Sequence, residues 1–421
     1  MSFQDIRKSR KWLSAEEIRL LVLMLLILAA LLALNIYLAR TLPGGEWFFL
    51  RWSGARAFVV EQIEPYSRGI AELVQELVYG RRAFASEYAY VLNDPFYIVL
   101  LYTPLALFGD FSIARGLWML LSEVALIGSV LFAFNLSDWQ PPRWLSIFLL
   151  GFGLFSYFSL HALITATPAI VLAFLYLCIL LALRSFSDEL AGALLLLVAY
   201  QWEVGGLFFL FILLFVFANR RWNVLAGFGM SLFVLLVVSF LANPDWGLPY
   251  IRAVLSNWYR SVNFNLGHIL SNWFPDSRFS IGGIVSVILG IILFLEWLAS
   301  VEAHFRRVVW TASLSLAATP LIGLAIFPSN YVVLILPFIL ILALAWERWT
   351  RRRVLSTLLI LIFALLIPFG LYLQTVKVYN PFYSELLAVL PPVAAIVGLY
   401  WMRWWVLRSP RTWIDQVGIR Q

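Results

Sequence analysis

Apolar runs of about 20 residues constrain the fold of this chain more than any other feature of its sequence. The first run extends from Leu20 to Ala39 without a charged residue. Hydrophobic residues make up 62% of the 421 residues and charged residues only 13%. Soluble domains carry about 25% charged residues. This composition excludes a soluble enzyme and a disordered protein, and it predicts a chain that lies largely in a lipid bilayer.

Eleven further runs follow the first and predict an all-α, polytopic transmembrane helical bundle of about 10–13 spans. They cover residues 96–109, 113–135, 144–160, 162–183, 190–218, 222–241, 281–301, 308–327, 331–346, 354–373 and 385–402. The stretch 190–218 is long for one span and contains the polar sequence Gln201-Trp202-Glu203 before Gly205-Gly206. It is either one tilted helix or two short helices that meet at the glycine pair.

Basic residues predict the orientation of the bundle. The first 18 residues include Arg7, Lys8, Arg10 and Lys11, which place the N-terminus in the cytoplasm by the positive-inside rule. The later basic clusters fall on the same side: Arg220-Arg221, Arg306-Arg307, Arg348, Arg351-Arg352-Arg353, Arg403, Arg408 and Arg411. We therefore expect residues 1–421 to form one multi-pass membrane domain, with 1–18 and the tail 403–421 in the cytoplasm.

Two segments on the opposite side are long enough to carry a site, namely the first outer loop, 40–95, and the second, 243–280. In the first loop, Phe48, Trp52, Ala55 and Val59 recur at helical spacing. A second apolar pattern follows at residues 70–77. These patterns predict two interfacial helices directly above the membrane.

Cysteine and histidine usage excludes several kinds of site. The single cysteine, Cys178, allows neither an intrachain disulfide nor a cysteine-based metal site. The three histidines are too far apart for a zinc motif. The formal net charge of +7 is spread over many loops, which indicates membrane topology rather than nucleic-acid binding.

The outer loops resemble those of glycosyltransferase family 87. The similar features are Gly44-Gly45-Glu46-Trp47, Glu64-Pro65-Tyr66, Asp94-Pro95, Asn243-Pro-Asp-Trp246 with Tyr250-Ile-Arg252, and the late span that begins at Asn330-Tyr331. The resemblance implies a GT-C fold and transfer of a hexose or pentose from a polyprenyl-phosphate donor to a lipid or glycan acceptor. It further implies a bacterial-type plasma membrane and a site on its outer face. The chain has Glu46 where the family usually has aspartate, and it lacks clear counterparts of the family's Gly-Gln and Lys-Pro pairs.

Sugar transfer from a lipid phosphate needs a base at headgroup depth that takes the proton of the acceptor hydroxyl. The resemblance makes Glu46 the first candidate, with inversion at the anomeric carbon. A carboxylate that stabilises a helix N-terminus is the alternative, and the two roles can coexist. Asp94 is the second candidate. Its position before Pro95 also suits a structural helix cap.

Several residues are candidates for substrate binding, each with a structural alternative. Arginine matches phosphate bidentately but also reaches lipid headgroups without any substrate. The arginine candidates are Arg51, Arg56, Arg252 and Arg260. The other candidates are Tyr66, Glu203, His268, Asn330 and Tyr331. Glu203 either faces an acceptor cavity or is neutral and hydrogen-bonded inside the bundle, and His268 is otherwise an exposed loop residue.

Two other functions remain open at this point. A secondary transporter or lipid flippase suits twelve spans, an interrupted helix and the apolar surroundings of Glu123 and Glu203. The halves of the chain show no duplication, however, and alternating access does not need a long structured outer loop. A non-catalytic scaffold with the GT-C fold is the third possibility. No cofactor is expected, and a divalent metal is possible but not indicated.

Overall fold

The computed structural model describes residues 15–84, 87–260, 264–275, 280–378 and 380–406. All secondary structure in these ranges is helical, which confirms the predicted all-α bundle. Seven helical segments are long and apolar enough to cross a membrane. They are α1 (Ala15–Thr41), α5 (Phe111–Leu136), α11 (Trp222–Ala242), α14 (Ile281–Leu298), the 3₁₀ turn Pro328–Leu334 with α16 (Ile335–Arg348), α17 (Arg353–Val378) and α18 (Pro381–Trp401).

Shorter helices complete the bundle. Helices α6 (Arg143–Phe155) and α7 (Tyr157–Ile164) form one apolar segment with a bend of 44°. The remaining bundle helices are α8 (Ala169–Arg184), α9 (Asp188–Val198), α10 (Trp202–Ala218) and α15 (Phe305–Ala318), which ends in a 3₁₀ turn at Thr319–Leu321. The largest buried cluster is apolar and joins α5, α8, α10, α15 and α16.

The outer segments form a second layer at one end of the bundle. It contains α2 (Glu46–Arg56), α3 (Arg68–Tyr79), α4 (Phe96–Ala106), α12 (Gly247–Arg260) and α13 (Leu266–Trp273). A π-helical turn, Ala57–Glu61, follows α2, and α19 (Arg403–Val406) follows α18 at the opposite end. Most of α2 is buried rather than exposed to lipid headgroups, since Trp52 keeps only 7% of its surface. Leu73 and Leu77 of α3 remain exposed, as an interfacial helix requires.

The prediction of a span at 96–109 is wrong. Helix α4 has 11 residues and is about 16 Å long, whereas the hydrocarbon core measures about 30 Å. At the end of α1, Arg40 Nη2 lies 3.1 Å from Oδ2 of Asp110, the residue before α5. Trp52 of α2 donates to the carbonyl oxygen of Leu105 at the end of α4. Helix α4 therefore begins and ends on the same side, and α5 is the second span.

The stretch 190–218 forms two helices, and the break between them precedes the predicted one. The chain leaves helical geometry between α9 and α10 at residues 199–201, and Gly205 adds a kink with φ −159° and ψ 35°. Asp188 at the start of α9 pairs with Arg221, just after the end of α10. The start of α9 and the end of α10 thus lie on the same side of the bundle, opposite the outer layer. By length and composition, seven described segments, or eight with α6 and α7 counted as one bent span, can cross a membrane.

Close approach of two backbones fixes α9 against α11. A Cβ at Gly192 would overlap the carbonyl oxygen of Val224, and a Cβ at Gly227 would overlap the backbone of Glu189. Only glycine at these positions allows the two helices to touch so closely, as small residues do in other membrane bundles. The contact orients the outer end of α9, where Tyr200 approaches the Arg51–Asp94 pair.

Ion pairs collect at the end of the bundle opposite the outer layer. Asp138 contacts Arg184 and Arg306, while Glu296 contacts Arg307 and Arg403. These residues end or begin different helices, so their contacts place the predicted basic clusters on one side. The start of α1 lies at this same end of the bundle. Arg408 and Arg411 lie outside the described residues.

Labelling of single cysteines tests the path of α4. In a Cys178→Ala background, Gly109→Cys should react with a membrane-impermeant maleimide from the same side as Leu42→Cys, because α4 returns to its starting side. Gln140→Cys, which lies between α5 and α6, should react only from the opposite side. A Gly109→Cys variant that labels together with Gln140→Cys would restore the span at 96–109.

Candidate functional site

Glu46 lies where the chain turns from the end of α1 into α2. The turn requires Gly44 and Gly45, whose φ angles of 112° and 86° lie in the left-handed region. A Cβ at Gly44 would lie 2.7 Å from the carbonyl oxygen of Ile164, and one at Gly45 would lie 2.7 Å from Nε of Arg115. The glycine pair therefore lets the chain pass close to α5 and α7 and places Glu46 at the first position of α2.

Arg115 of α5 holds this turn in place. Its side chain is buried, and its Nη atoms donate to the carbonyl oxygens of Leu42 at 3.0 Å and Ile164 at 2.7 Å. Its Nη atoms also donate longer hydrogen bonds, of 3.3 Å, to the carbonyl oxygens of Ala39 and Pro43. The guanidinium thus ties the end of α1 and the end of α7 to α5. Sequence reasoning missed this residue, although an arginine at the edge of an apolar run is a signal of function.

The environment of Glu46 favours its protonated form. The side chain is half-buried, and this burial raises the pKa of its carboxyl group above the ordinary value. A hydrogen bond from its own backbone N–H and the charge of Arg115 act in the opposite direction without cancelling the effect. A carboxylate with a raised pKa at the edge of the membrane is suited to accept a proton.

Four aromatic rings lie beside Glu46. The ring of Trp47 is 5.3 Å from Tyr88, 5.6 Å from Tyr90 and 5.3 Å from Phe327, measured between centroids. Burial raises the pKa of Tyr90, and the charge of Glu46 raises it further, so this phenol lies close to the carboxylate. These rings, which we call the aromatic cluster, give the carboxylate an apolar wall. Aromatic faces of this kind pack against the C–H faces of sugar rings. The sequence did not identify Tyr88, Tyr90 or Phe327.

Asp94 and Arg51 form a buried ion pair with each other. Arg51 Nε lies 2.7 Å from Asp94 Oδ2, Nη2 donates to Oδ1 at 3.2 Å, and both side chains are 3% exposed. Arg51 also donates to the carbonyl oxygen of Trp47. The bidentate pair fastens α2 to the segment before α4. This geometry favours a structural role for Asp94 over a role as base. Arg51 is buried, so it reaches neither lipid headgroups, which was its alternative, nor an open phosphate site.

Tyr66, Arg56 and Glu203 surround the same helices. The hydroxyl of Tyr66 donates to the carbonyl oxygen of Asp94 at 2.9 Å, and Arg56 donates to that of Ala106 at 3.3 Å. Both side chains therefore brace α4. Glu203 is half-buried on α10 and lies within electrostatic range of Asp94 and Arg51. None of the described contacts of these three residues joins them directly to Glu46.

The remaining candidates do not converge on Glu46. Arg252 is exposed and lines a separate cavity beside α3, while His268 is exposed on α13. The side chain of Arg260 lies outside the described residues. Tyr331 is buried, and its hydroxyl donates to the carbonyl oxygen of Ala388, so it packs the bundle. Asn330 is also buried, and its backbone N–H donates to the carbonyl oxygen of Phe327 in the aromatic cluster.

The described residues hold no group of three or more His, Cys, Asp or Glu side chains that could ligate a metal ion. The expectation that no cofactor is needed stays a prediction.

Comparison with known proteins identifies the family that the sequence resembles. The sequence model of glycosyltransferase family 87 matches residues 92–371, which is more than half of the chain. The matched range includes Asp94 and Arg115 but begins after Glu46 and α3. No curated protein and no solved structure matches the chain.

Loss of the buried pair should destabilise the protein. Asp94→Asn leaves the charge of Arg51 buried without its carboxylate, which costs about 3–5 kcal/mol when one partner of such a pair is removed. We expect a clearly lower thermal unfolding midpoint in detergent. Glu72→Gln, which breaks the exposed pair with Arg82, should leave the midpoint almost unchanged. Equal midpoints for Asp94→Asn and the wild type would show that the pair does not hold α2.

Proposed function

The chain belongs to glycosyltransferase family 87, and we propose that it transfers a sugar from a polyprenyl-phosphate donor to a lipid or glycan acceptor. Transfer would take place on the side of the outer layer, with Glu46 as the general base. The family identifies a membrane glycosyltransferase. The donor, the acceptor and the base are the proposed part. A bacterial-type plasma membrane with a cytoplasmic N-terminus is proposed with them.

The position of Glu46 is the observation that carries the proposal. The residue follows the outer end of the α1 span by five positions and begins a helix that is packed against the bundle. A polyprenyl chain lies in the hydrocarbon core, so its phosphate and sugar lie at headgroup depth. A base for this reaction must therefore lie at the outer end of a span, as Glu46 does. Its raised pKa supports the same role.

The proposed reaction is a single displacement. A hydroxyl oxygen of the acceptor attacks the anomeric carbon and forms the new glycosidic bond. The bond between that carbon and the phosphate oxygen breaks, and its electron pair leaves with the polyprenyl phosphate. The proton of the acceptor hydroxyl passes to the Glu46 carboxylate. Attack from the face opposite the leaving group inverts the anomeric configuration.

Neighbouring residues have distinct parts in this proposal. The aromatic cluster offers a wall for the transferred sugar next to the base. Arg115 is a positioning residue, because its hydrogen bonds to the carbonyl oxygens of Leu42 and Ile164 fix the turn that precedes Glu46. Glu203 is the candidate for binding the acceptor, since it lies half-buried between the outer layer and the bundle.

The family match argues against the transporter, because its members are glycosyltransferases and the match extends over most of the bundle. The scaffold alternative shares the fold with the enzyme and differs from it only in activity. Transfer by the purified protein decides between them.

Glu46→Gln should abolish most of the transfer activity while the protein stays folded. Removal of a general base typically costs about 10²- to 10⁴-fold in rate, and glutamine keeps the size of the side chain. The measurement is release of polyprenyl phosphate from a polyprenyl-phosphate sugar by purified wild type and variant. Glu76→Gln, an exposed carboxylate on α3, is the matched control and should keep full activity.

The thermal unfolding midpoint separates the base from the helix cap. Burial raises the pKa of Glu46, so its charged form is less favourable in the folded protein than in the unfolded chain. The Glu46→Gln variant should therefore not have a lower unfolding midpoint at neutral pH. A lower midpoint with full activity would favour the cap over the base. If the wild-type protein shows no transfer activity, the non-catalytic scaffold is favoured.

The pH dependence of kcat/KM gives an independent test. Only the ionised carboxylate accepts the proton, so activity should rise with pH through the raised pKa of Glu46, above the 4.5 of an ordinary glutamate. Arg115→Gln removes a charge that lowers this pKa and should move the acidic limb to higher pH. Arg115→Lys keeps the charge and should leave the limb near that of the wild type. If Arg115→Gln also leaves the acidic limb of the pH profile in place, Glu46 is excluded as the group that titrates there.

A further inference from the structure

A cavity that does not include Glu46 lies in the outer layer, between the first turns of α3 and helix α12. Its volume is about 500 Å³. Ile70 and Ala71 of α3, Leu92 of the segment before α4, and Ala253 of α12 contribute apolar surface to it. The proposed transfer reaction does not use this cavity.

Positive charge dominates the wall of the cavity. Arg68, Arg82 and Arg252 line it, whereas Glu72 is the one acidic residue among its described lining residues. Glu72 is paired with Arg82 through contact between Arg82 Nη2 and Glu72 Oε2 at 2.8 Å. In the described part of the chain, Arg68 and Arg252 have no carboxylate partner. Two guanidinium groups are therefore free to bind an anion from opposite walls.

The backbone of α3 adds to this charge. Ser67 precedes the 12-residue helix, and its hydroxyl does not cap the first turn. The free N–H groups and the helix dipole make this end electropositive. Ser67 and Arg68 both line the cavity, so the helix end and the arginines face the same space.

Gln75 fixes the rim of the cavity. This side chain is buried, and its Nε2 donates to the carbonyl oxygen of Ala89 at 2.6 Å. Its Oε1 accepts a hydrogen bond from the N–H of Ala83 at 2.9 Å. The two bonds tie both ends of the loop after α3 to the helix. Arg82 therefore precedes Ala83, which Gln75 holds in place. Because this loop is fixed, the cavity is preformed.

Exposed apolar side chains place the cavity at the depth of lipid headgroups. On α12, Leu248, Ile251 and Leu255 recur at helical spacing, and each is more than half exposed. On α3, Leu73 and Leu77 are also more than half exposed. Helices that combine such stripes with arginine lie in the membrane interface. An anion that enters between these helices thus comes from the lipid surface.

We propose that this cavity binds the phosphate group of an anionic membrane phospholipid, with Arg68, Arg252 and the N-terminus of α3 as its ligands. The free guanidiniums match the phosphate oxygens, and the apolar stripes hold the acyl chains beside the helices. The site is separate from the reaction centre. The segment that contributes Leu92 to the cavity contributes Tyr90 to the aromatic cluster beside Glu46. The bound lipid would therefore brace the wall of the reaction centre without taking part in transfer.

Lipid binding to the full-length protein tests the proposal without any measurement of transfer. The protein in neutral detergent is titrated with dioleoyl phosphatidylglycerol, and the bound lipid is counted by native mass spectrometry. We expect one saturable site whose affinity falls at least about tenfold in Arg68→Ala/Arg252→Ala, since both free ligands are lost. Arg81→Ala is the matched control, because this exposed arginine of the same loop pairs with Glu87 and does not line the cavity. The control should bind like the wild type.

Two further arms identify the ligand. Phosphatidylcholine should bind more weakly than phosphatidylglycerol, because its choline cation faces the arginines. Inorganic phosphate should compete only at much higher concentration, since it lacks the acyl chains. Equal affinity of the wild type and the double variant would overturn the site. Equal affinity for inorganic phosphate and phosphatidylglycerol would overturn the lipid as its ligand. The single variant Arg252→Glu repeats the test at an exposed position, where misfolding does not explain lost binding.

Discussion

The buried guanidinium of Arg115 connects the outer layer to the membrane bundle. It lies at the start of a span, and burial of its charge is tolerable only because carbonyl oxygens surround it. Those oxygens belong to the ends of α1 and α7, which lack partners within their own helices. The close passage of Gly44 and Gly45 depends on the same side chain. The direction in which Glu46 leaves the bundle is thus set by an arginine that is distant in sequence.

Two carboxyl groups of the first outer loop have opposite environments, and this difference separates their roles. Asp94 is enclosed with Arg51 and serves as a fastening between α2 and α4. Glu46 has no such partner at contact distance among its described interactions. It keeps part of its surface exposed, so its carboxyl group can exchange a proton. A carboxyl group near this interface is therefore suited either to stability or to the proposed proton transfer, depending on whether a guanidinium neutralises it.

The sequence predicts the all-α membrane bundle and a common side for its basic clusters, because both depend on composition over about 20 residues. It does not predict that α4 stays on one side. The run at 96–109 is apolar because α2 and the bundle cover it, and hydropathy does not distinguish burial in protein from burial in lipid. At the candidate site, Glu46 was proposed from its resemblance to a family motif. Tyr88, Tyr90, Phe327 and Arg115 come from distant segments that only tertiary packing brings together.

The glycine contact between α9 and α11 has a consequence for how substrates can enter. Helices whose backbones touch at Gly192 and Gly227 have no side chains between them that could rearrange. Such a pair can shift only as one rigid body, and it leaves no gap for a lipid tail. Any opening for the proposed polyprenyl donor must then occur along other helix contacts of the bundle, where bulky side chains separate the helices and can change rotamer.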